Sequence, residues 1–208
     1  FLGPLSFGGV DYLSFMTPGI IAFTLLFTSL FGGISILFDK NFGLMKEIVT
    51  SPVSRSSIVI GKALATLIRG LIQAIIIFTA AILLGAKFMF SWTLPIGILG
   101  IISLLILFSL GFIFISSIIA IKLTSFEGLN AIITLITMPL FFASGALFPI
   151  SALPAPLQVI AYGNPLTYVV EGIKAFMLTP GGIYIPMMTS EIMIPLAYLV
   201  LGAFAIIT

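Results

Sequence analysis

Along the 208-residue chain, long uncharged and mostly apolar runs alternate with short charged breaks. Residues 12 to 38, 70 to 86, 88 to 121, 128 to 170 and 192 to 208 contain no Asp, Glu, Lys or Arg. A charge near the centre of a bilayer is costly, so such gaps mark segments able to cross one. The shortest gaps hold 17 residues; as helix they reach about 25 Å, against a hydrocarbon core of roughly 30 Å. The gap from 128 to 170 is long enough for two spans. Pro139, Pro149, Pro154, Pro156 and Pro165 interrupt it, and the four later prolines forbid a regular helix after about Phe148. The pattern therefore predicts one domain over 1–208, with helical spans at about 18–38, 64–86, 96–121, 129–148 and 192–208. Residues 149–178 are expected to form short re-entrant helices that dip into the outer leaflet without crossing. The expected class is all-α, a polytopic helical membrane protein.

Composition removes the alternatives. Hydrophobic residues make up 61% of the chain and charged residues 7%, against roughly 25% charged in a soluble domain. With a mean hydropathy of +1.36, no single-core globule could cover itself with polar groups. Eight basic residues against six acidic ones leave no nucleic-acid footprint. Cysteine and histidine are both absent, which excludes thiolate nucleophiles, disulfides, His-based triads and His or Cys metal ligands. The carboxylates Asp11, Asp39, Glu47, Glu127, Glu171 and Glu191 form no catalytic pair by spacing. No catalytic residue, metal or cofactor of the chain's own is expected.

Charge asymmetry sets the orientation. Five spans place the loop 39–63 and the turn 122–128 on one side, carrying Lys40, Lys46, Arg55, Lys62, Lys122 and, at a span edge, Arg69. The other side carries Lys87 and Lys174. Cytoplasmic loops are the richer in Lys and Arg, so the loop 39–63 is expected in the cytoplasm and the segment 149–191 outside. The chain opens on Phe1 without the basic n-region of a signal peptide, and the expectation is that a further span precedes it.

The loop 39–63 carries the most distinctive pattern. Leu44, Met45, Ile48 and Val49 share one helical face, Lys46, Glu47 and Thr50 oppose them, and Pro52 stops the turn. Ser54 or Ser56 can cap the next helix, on which Lys62, Arg69 and Gln73 form a polar stripe leading into the membrane. Such an amphipathic segment either rests on lipid headgroups or docks a cytoplasmic partner. Gly61-Lys62 is no phosphate loop, because Ala63 follows it and no glycine stands five residues before Gly61. Phe27 and Phe31, with Phe141 and Phe142, are weak candidates for lining a route for apolar substrate; aromatic packing or lipid contact is the commoner use. Glu171 and Lys174, three residues apart, read as an interfacial ion pair of small energetic worth.

The run FDKNFGLMKEIVTSPVSRSSIVIGKAL, Phe38 to Leu64, resembles the cytoplasmic segment of ABC transporter type 2 permeases, where a Gly-containing charged stretch leads to Pro-Val-Ser-Arg and then Gly-Lys. Those features are Gly43, Pro52 to Arg55, and Gly61 with Lys62. LFPISALPAPLQVIAYGNPLTYVVEGIKAF, Leu147 to Phe176, is similar to the family's segment between its last two spans, and YLSFMTPGIIAF, Tyr12 to Phe23, more weakly to its second-span entry. The resemblance implies six spans in the whole protein and a multi-pass location in a prokaryotic cell membrane. It implies the permease subunit of an exporter of drug, lipid or polysaccharide, not itself an enzyme. A separate ATPase subunit would bind the ATP, and a second permease copy or paired half would complete the transporter. Leu44, Met45, Lys46, Glu47, Ile48, Val49, Pro52 and Arg55 would then form the ATPase-coupling surface. An ion-coupled secondary transporter or channel is the alternative. An intramembrane enzyme ranks below both, because the chemistry-bearing residues are missing.

The topology is directly testable because the chain has no cysteine of its own. In intact cells, a membrane-impermeant thiol reagent should label Ser151→Cys and spare Ser56→Cys. The reverse pattern would overturn the assignment of sides.

Overall fold

The computed structural model describes residues 6–7, 10–43, 55–88, 94–178, 195, 197–202 and 205; for 6, 7, 10, 55, 56 and 94–96 it describes the backbone alone. The chain is all-α apart from a two-residue antiparallel pairing of β1 (Ser6–Phe7) with β2 (Val10–Asp11). The helices are α1 (Tyr12–Asn41), α2 (Arg55–Leu83), α3 (Leu94–Lys122), α4 (Phe126–Phe142), α5 (Ala155–Gly163) and α6 (Pro165–Met177), with a 3₁₀ turn at Ile150–Ala152. Residues 197–202 are helical as well. In hydrocarbon the backbone must satisfy its own hydrogen bonds, which leaves an apolar run little choice but helix. Among the described residues three helices are long and apolar enough to cross a membrane: α1, and α2 and α3 over Ser57–Leu83 and Gly97–Lys122.

α1 begins at Tyr12, six residues before the start that hydropathy suggested, and it passes through Pro18. Pro18 has no N–H to give to the carbonyl one turn back. The Thr17 hydroxyl donates to the Leu13 carbonyl at 2.7 Å in the same turn, and the helix continues. At 30 residues, about 45 Å, α1 is longer than the hydrocarbon core is thick, so both its ends reach polar surroundings.

α1 is also the centre of the packing. It lies most extensively against α2 and α3 and also touches α4 and α6, while α6 packs on α3. Its contact with α3 depends on a missing side chain: a Cβ on Gly33 would sit 2.3 Å from Ser116 Oγ. With none there, the Ser116 hydroxyl accepts the Gly33 N–H at 3.0 Å and donates to the Leu30 carbonyl. Small residues let membrane helices approach closely enough for such bonds. The contact with α2 runs antiparallel, with Asp39 paired to Lys62, Gly32 opposite Thr66, and the Thr28 hydroxyl donating to Gln73 Oε1.

The segment from α4 onward keeps the short broken helices that were expected over 149–178, but departs from the expectation in the bounds of α4 and in what covers α6. The expected span 129–148 is shorter and shifted, running from Phe126 to Phe142. Its start is capped by Ser125, whose hydroxyl accepts the Gly128 N–H at 2.9 Å. Pro139 lies in its last turn, and the chain then turns at Gly145, whose φ of +71° suits glycine. Next, residues 150–177 form short pieces broken at Leu153–Pro154 and at Asn164. Asn164 joins three of these elements, since its Nδ2 donates to the Leu140 carbonyl of α4 at 2.7 Å and its Oδ1 accepts the Leu166 N–H of α6 at 2.9 Å. Last, α6 is covered by protein and not by lipid: every residue from Val169 to Met177 is buried, against α1 and α3. α5 keeps Val159, Ile160 and Tyr162 exposed.

Burial of α6 corrects the reading of Glu171 and Lys174. They are not an interfacial pair, because their side chains are 3% and 0% exposed. The Lys174 ammonium donates to Glu171 Oε1 at 3.1 Å and to the Gly145 carbonyl at 2.8 Å, and it sits 3.8 Å from the centroid of the Phe15 ring. One cation thus ties α6, the turn after α4 and the start of α1. Spacing along α6 shows the two charges as neighbours but not that α1 and α3 cover them.

Removing one partner of a buried pair leaves the other charge uncompensated and costs roughly 3–5 kcal/mol, whereas an exposed pair is worth at most about 1. Lys174→Met should therefore strongly lower the thermal stability of the detergent-solubilised protein, and Glu171→Gln with Lys174→Met should recover much of the loss. A Lys174→Met variant as stable as the wild type would contradict the burial.

Candidate functional site

The expected loop 39–63 is shortened by helix at both ends, since α1 runs to Asn41 and α2 begins at Arg55, nine residues before the expected span start at 64; where it leaves the bundle, α1 and α2 are joined by charge. Lys62 of α2 pairs with Asp39 of α1, and its ammonium also donates to the Ser35 carbonyl at 3.1 Å. The next residue of α1, Lys40, reaches across to α3 and donates to the carbonyls of Ile121 and Leu123 at 2.8 and 2.9 Å. Asn41 Nδ2 adds a bond to the Thr124 carbonyl at 3.2 Å. The last carbonyls of a helix lack intrahelical partners and carry negative partial charge, so a cation there both caps and neutralises them. The two exposed lysine bonds and the partly exposed ion pair are individually weak. Together they fasten the two ends of the loop and the C-terminus of α3 into one base. Gly43, with a φ of +78°, turns the chain out of α1.

The expected coupling residues Leu44, Met45, Lys46, Glu47, Ile48, Val49 and Pro52 lie outside the described residues, and Arg55 is described only as the first backbone position of α2. Asp39, Lys40 and Asn41 were not singled out in the sequence. The signal available was three consecutive polar residues ending an apolar run at a helix C-terminus.

The four weak candidates for a substrate route come together. Phe27 and Phe31 are tilted against each other at 4.5 Å between ring centroids, Phe27 lies 6.0 Å from Phe23, Phe23 lies 4.2 Å from Phe141, and Phe141 lies 5.7 Å from Phe142. The result is a continuous aromatic ladder from α4 along one side of α1. Phe23 is the rung that links them, and its spacing of four residues from Phe27 and eight from Phe31 was the signal for it. The ladder is not a buried core: Phe27 is 39% exposed and Phe142 59%. Beside it, α4 presents an open face that carries Asn130, Thr134, Leu135 and Met138. Asn130, Thr134 and Phe141 recur at intervals of four and seven residues and so share a stripe of α4. This surface is chemically suited to holding a flat or flexible apolar body with a few polar contacts. Among the described residues no group of three or more acidic residues is placed to hold a metal ion.

Comparison with known proteins bears on what this loop base and aromatic side belong to. A sequence model of the ABC-2 type transporter matches residues 2–178. The chain is 34% identical over 165 residues to the putative transport permease ycf38 of Porphyra purpurea, covering 79% of this chain and 55% of the relative. It is 23% identical over 167 residues to the inner membrane transport permease YadH of Escherichia coli K12, covering 80% and 63%. It is 26% identical over 172 residues to nodulation protein J of Rhizobium meliloti, covering 82% and 63%. The chain spans about half the length of the ycf38 relatives it matches. A match that runs from the start of the described fold through α6, and so takes in the loop base, the aromatic ladder and the buried Lys174, places the chain in the ABC-2 type transporter family.

Proposed function

We propose that the chain is the membrane subunit of an ABC exporter in a prokaryotic cell membrane, moving an amphipathic or apolar substrate such as a drug, lipid or polysaccharide. A separate ATPase subunit binds the ATP and docks on the loop 39–63, and two permease copies, identical or paired, enclose a shared route. The observation that carries this reading is the loop base. Asp39 with Lys62, and Lys40 with the end of α3, tie both ends of the loop to three membrane helices at once. A push on the loop then moves α1, and with it the aromatic ladder, rather than being lost in a flexible tether.

The docking element itself is the amphipathic stretch from Leu44 to Thr50. Leu44, Met45, Ile48 and Val49 pack into the ATPase, with Lys46, Glu47 and Arg55 at the rim and Pro52 ending the turn. An apolar stripe bordered by charge on a water-facing loop is costly unless something covers it.

Ion-coupled transport is the second reading, and Glu171 is the observation that favours it, as the one buried carboxylate among the described residues. Lys174 already neutralises it, which makes it a poor carrier of a coupling ion.

Ile48→Asp separates the two readings in liposomes that contain the permease and its ATPase. A charge buried at an interface without a partner costs several kcal/mol. The substitution should leave the permease inserted and folded, yet abolish substrate-stimulated ATP hydrolysis and transport. Wild-type transport and ATPase retention by Ile48→Asp would sink the docking reading.

A further inference from the structure

The polar stripe that leads into the membrane contains one cation that the loop base does not use. Lys62 is engaged with Asp39, and Gln73 with Thr28. Arg69 lies between them, is exposed, and makes no ion pair or hydrogen bond among the described residues. It is seven residues beyond Lys62, so about 10 Å deeper along α2, within the stretch long and apolar enough to cross a membrane. Its neighbours Leu64, Ile68, Ile72 and Ile76 are exposed apolar residues. A guanidinium cannot lose its charge there, so in such surroundings it requires an anion.

The register of the helices places Arg69 beside the aromatic ladder. α2 turns Thr66, Gly70 and Gln73 toward α1, and Ala63 and Leu67 toward α3. Arg69, three residues after Thr66 and four before Gln73, therefore falls on the edge of the α1-facing side that is remote from α3. On α1, Thr28 and Gly32 face α2 and Gly33 faces α3. Phe27 and Phe31 each precede an α2-facing residue, so they fall on the matching edge, also remote from α3. The antiparallel pairs Gly32 with Thr66 and Thr28 with Gln73 bracket Arg69 at the depth of Phe31. A single side of the bundle thus presents one cation level with Phe31 and, about one helical turn deeper, the ring of Phe27.

We propose that Arg69 binds the anionic head, a phosphate or carboxylate, of an amphipath held in the membrane half nearer the loop 39–63, while Phe27 and Phe31 take its apolar part. This rests on the export reading and gives it a substrate class: anionic amphipaths are selected over zwitterionic or cationic ones of the same tail. The guanidinium supplies paired donors that match such an oxygen pair. Bilayer phospholipid and exported cargo carry the same head chemistry, and the experiment tells them apart.

The full-length permease in phosphatidylcholine nanodiscs is titrated with fluorescent lysophosphatidic acid and with fluorescent lysophosphatidylcholine of the same acyl chain. The wild type should prefer the anionic probe by on the order of tenfold. Arg69→Gln should erase that preference while leaving the phosphatidylcholine probe bound as before, and Arg69→Lys should restore most of it. Equal binding of the two probes by the wild type, or a preference that survives Arg69→Gln, would overturn the proposal. Adding phosphatidylglycerol to the nanodisc assigns the source. Loss of probe binding makes bilayer lipid the natural anion, and retained binding makes it the cargo. No ATPase is present, so failure here is independent of the Ile48→Asp result.

Discussion

Hydrocarbon offers no water to a polar side chain, so a polar tie between helices inside the membrane weighs heavily there, and several such ties in this chain converge on α1. Ser116 of α3 bonds the α1 backbone at Leu30 and Gly33. Gln73 of α2 bonds Thr28, Lys62 pairs with Asp39, and Lys174 of α6 lies over Phe15. Apolar contact alone would not order these helices in lipid, because lipid tails are as apolar as leucine. The few polar ties, with the close approach that Gly32 and Gly33 permit, therefore fix the register of the bundle.

That arrangement makes α1 the element through which distant parts of the molecule communicate. Its inner end belongs to the loop base, its middle carries Phe23, Phe27 and Phe31, and its outer end packs against the turn after α4 through Gly19 and Ala146. On the proposed export reading, the mechanical link between the loop and the aromatic surface is this one helix of 30 residues, bonded to its neighbours at several depths.

Much of this was legible in the chain. Fourteen charges in 208 residues delimit the three long helices to within a few residues at most ends, because the cost of burying charge in lipid is large compared with any local propensity. The start of α1 was placed six residues late, at Pro18, yet a proline in the second turn interrupts only one backbone bond. The 129–148 span was drawn too long because hydropathy does not register that the chain turns at Gly145, with a φ of +71°, soon after Pro139. Glu171 and Lys174 show the same limit, since their spacing is visible in sequence while the α1 and α3 surfaces that cover them are not. The aromatic candidates were recognisable one by one; Phe23, which joins them, was passed over. Arg69 was visible as a charge in the stripe, but its position beside Phe31 follows only from the antiparallel register.

The central claim is that α1 and α2 move as one body and carry the loop with them. Gly32 and Thr66 offer the means to test it, because a Cβ on Gly32 would lie 3.4 Å from the Thr66 Cβ, close to the spacing that a disulfide requires. In a chain without cysteine, Gly32→Cys with Thr66→Cys should cross-link on mild oxidation in reconstituted membranes, and ATP-driven transport by the permease with its ATPase should be unchanged by the bond. A pair that does not cross-link, or a cross-link that stops transport until it is reduced, would show that α1 and α2 separate during the cycle and would contradict the account.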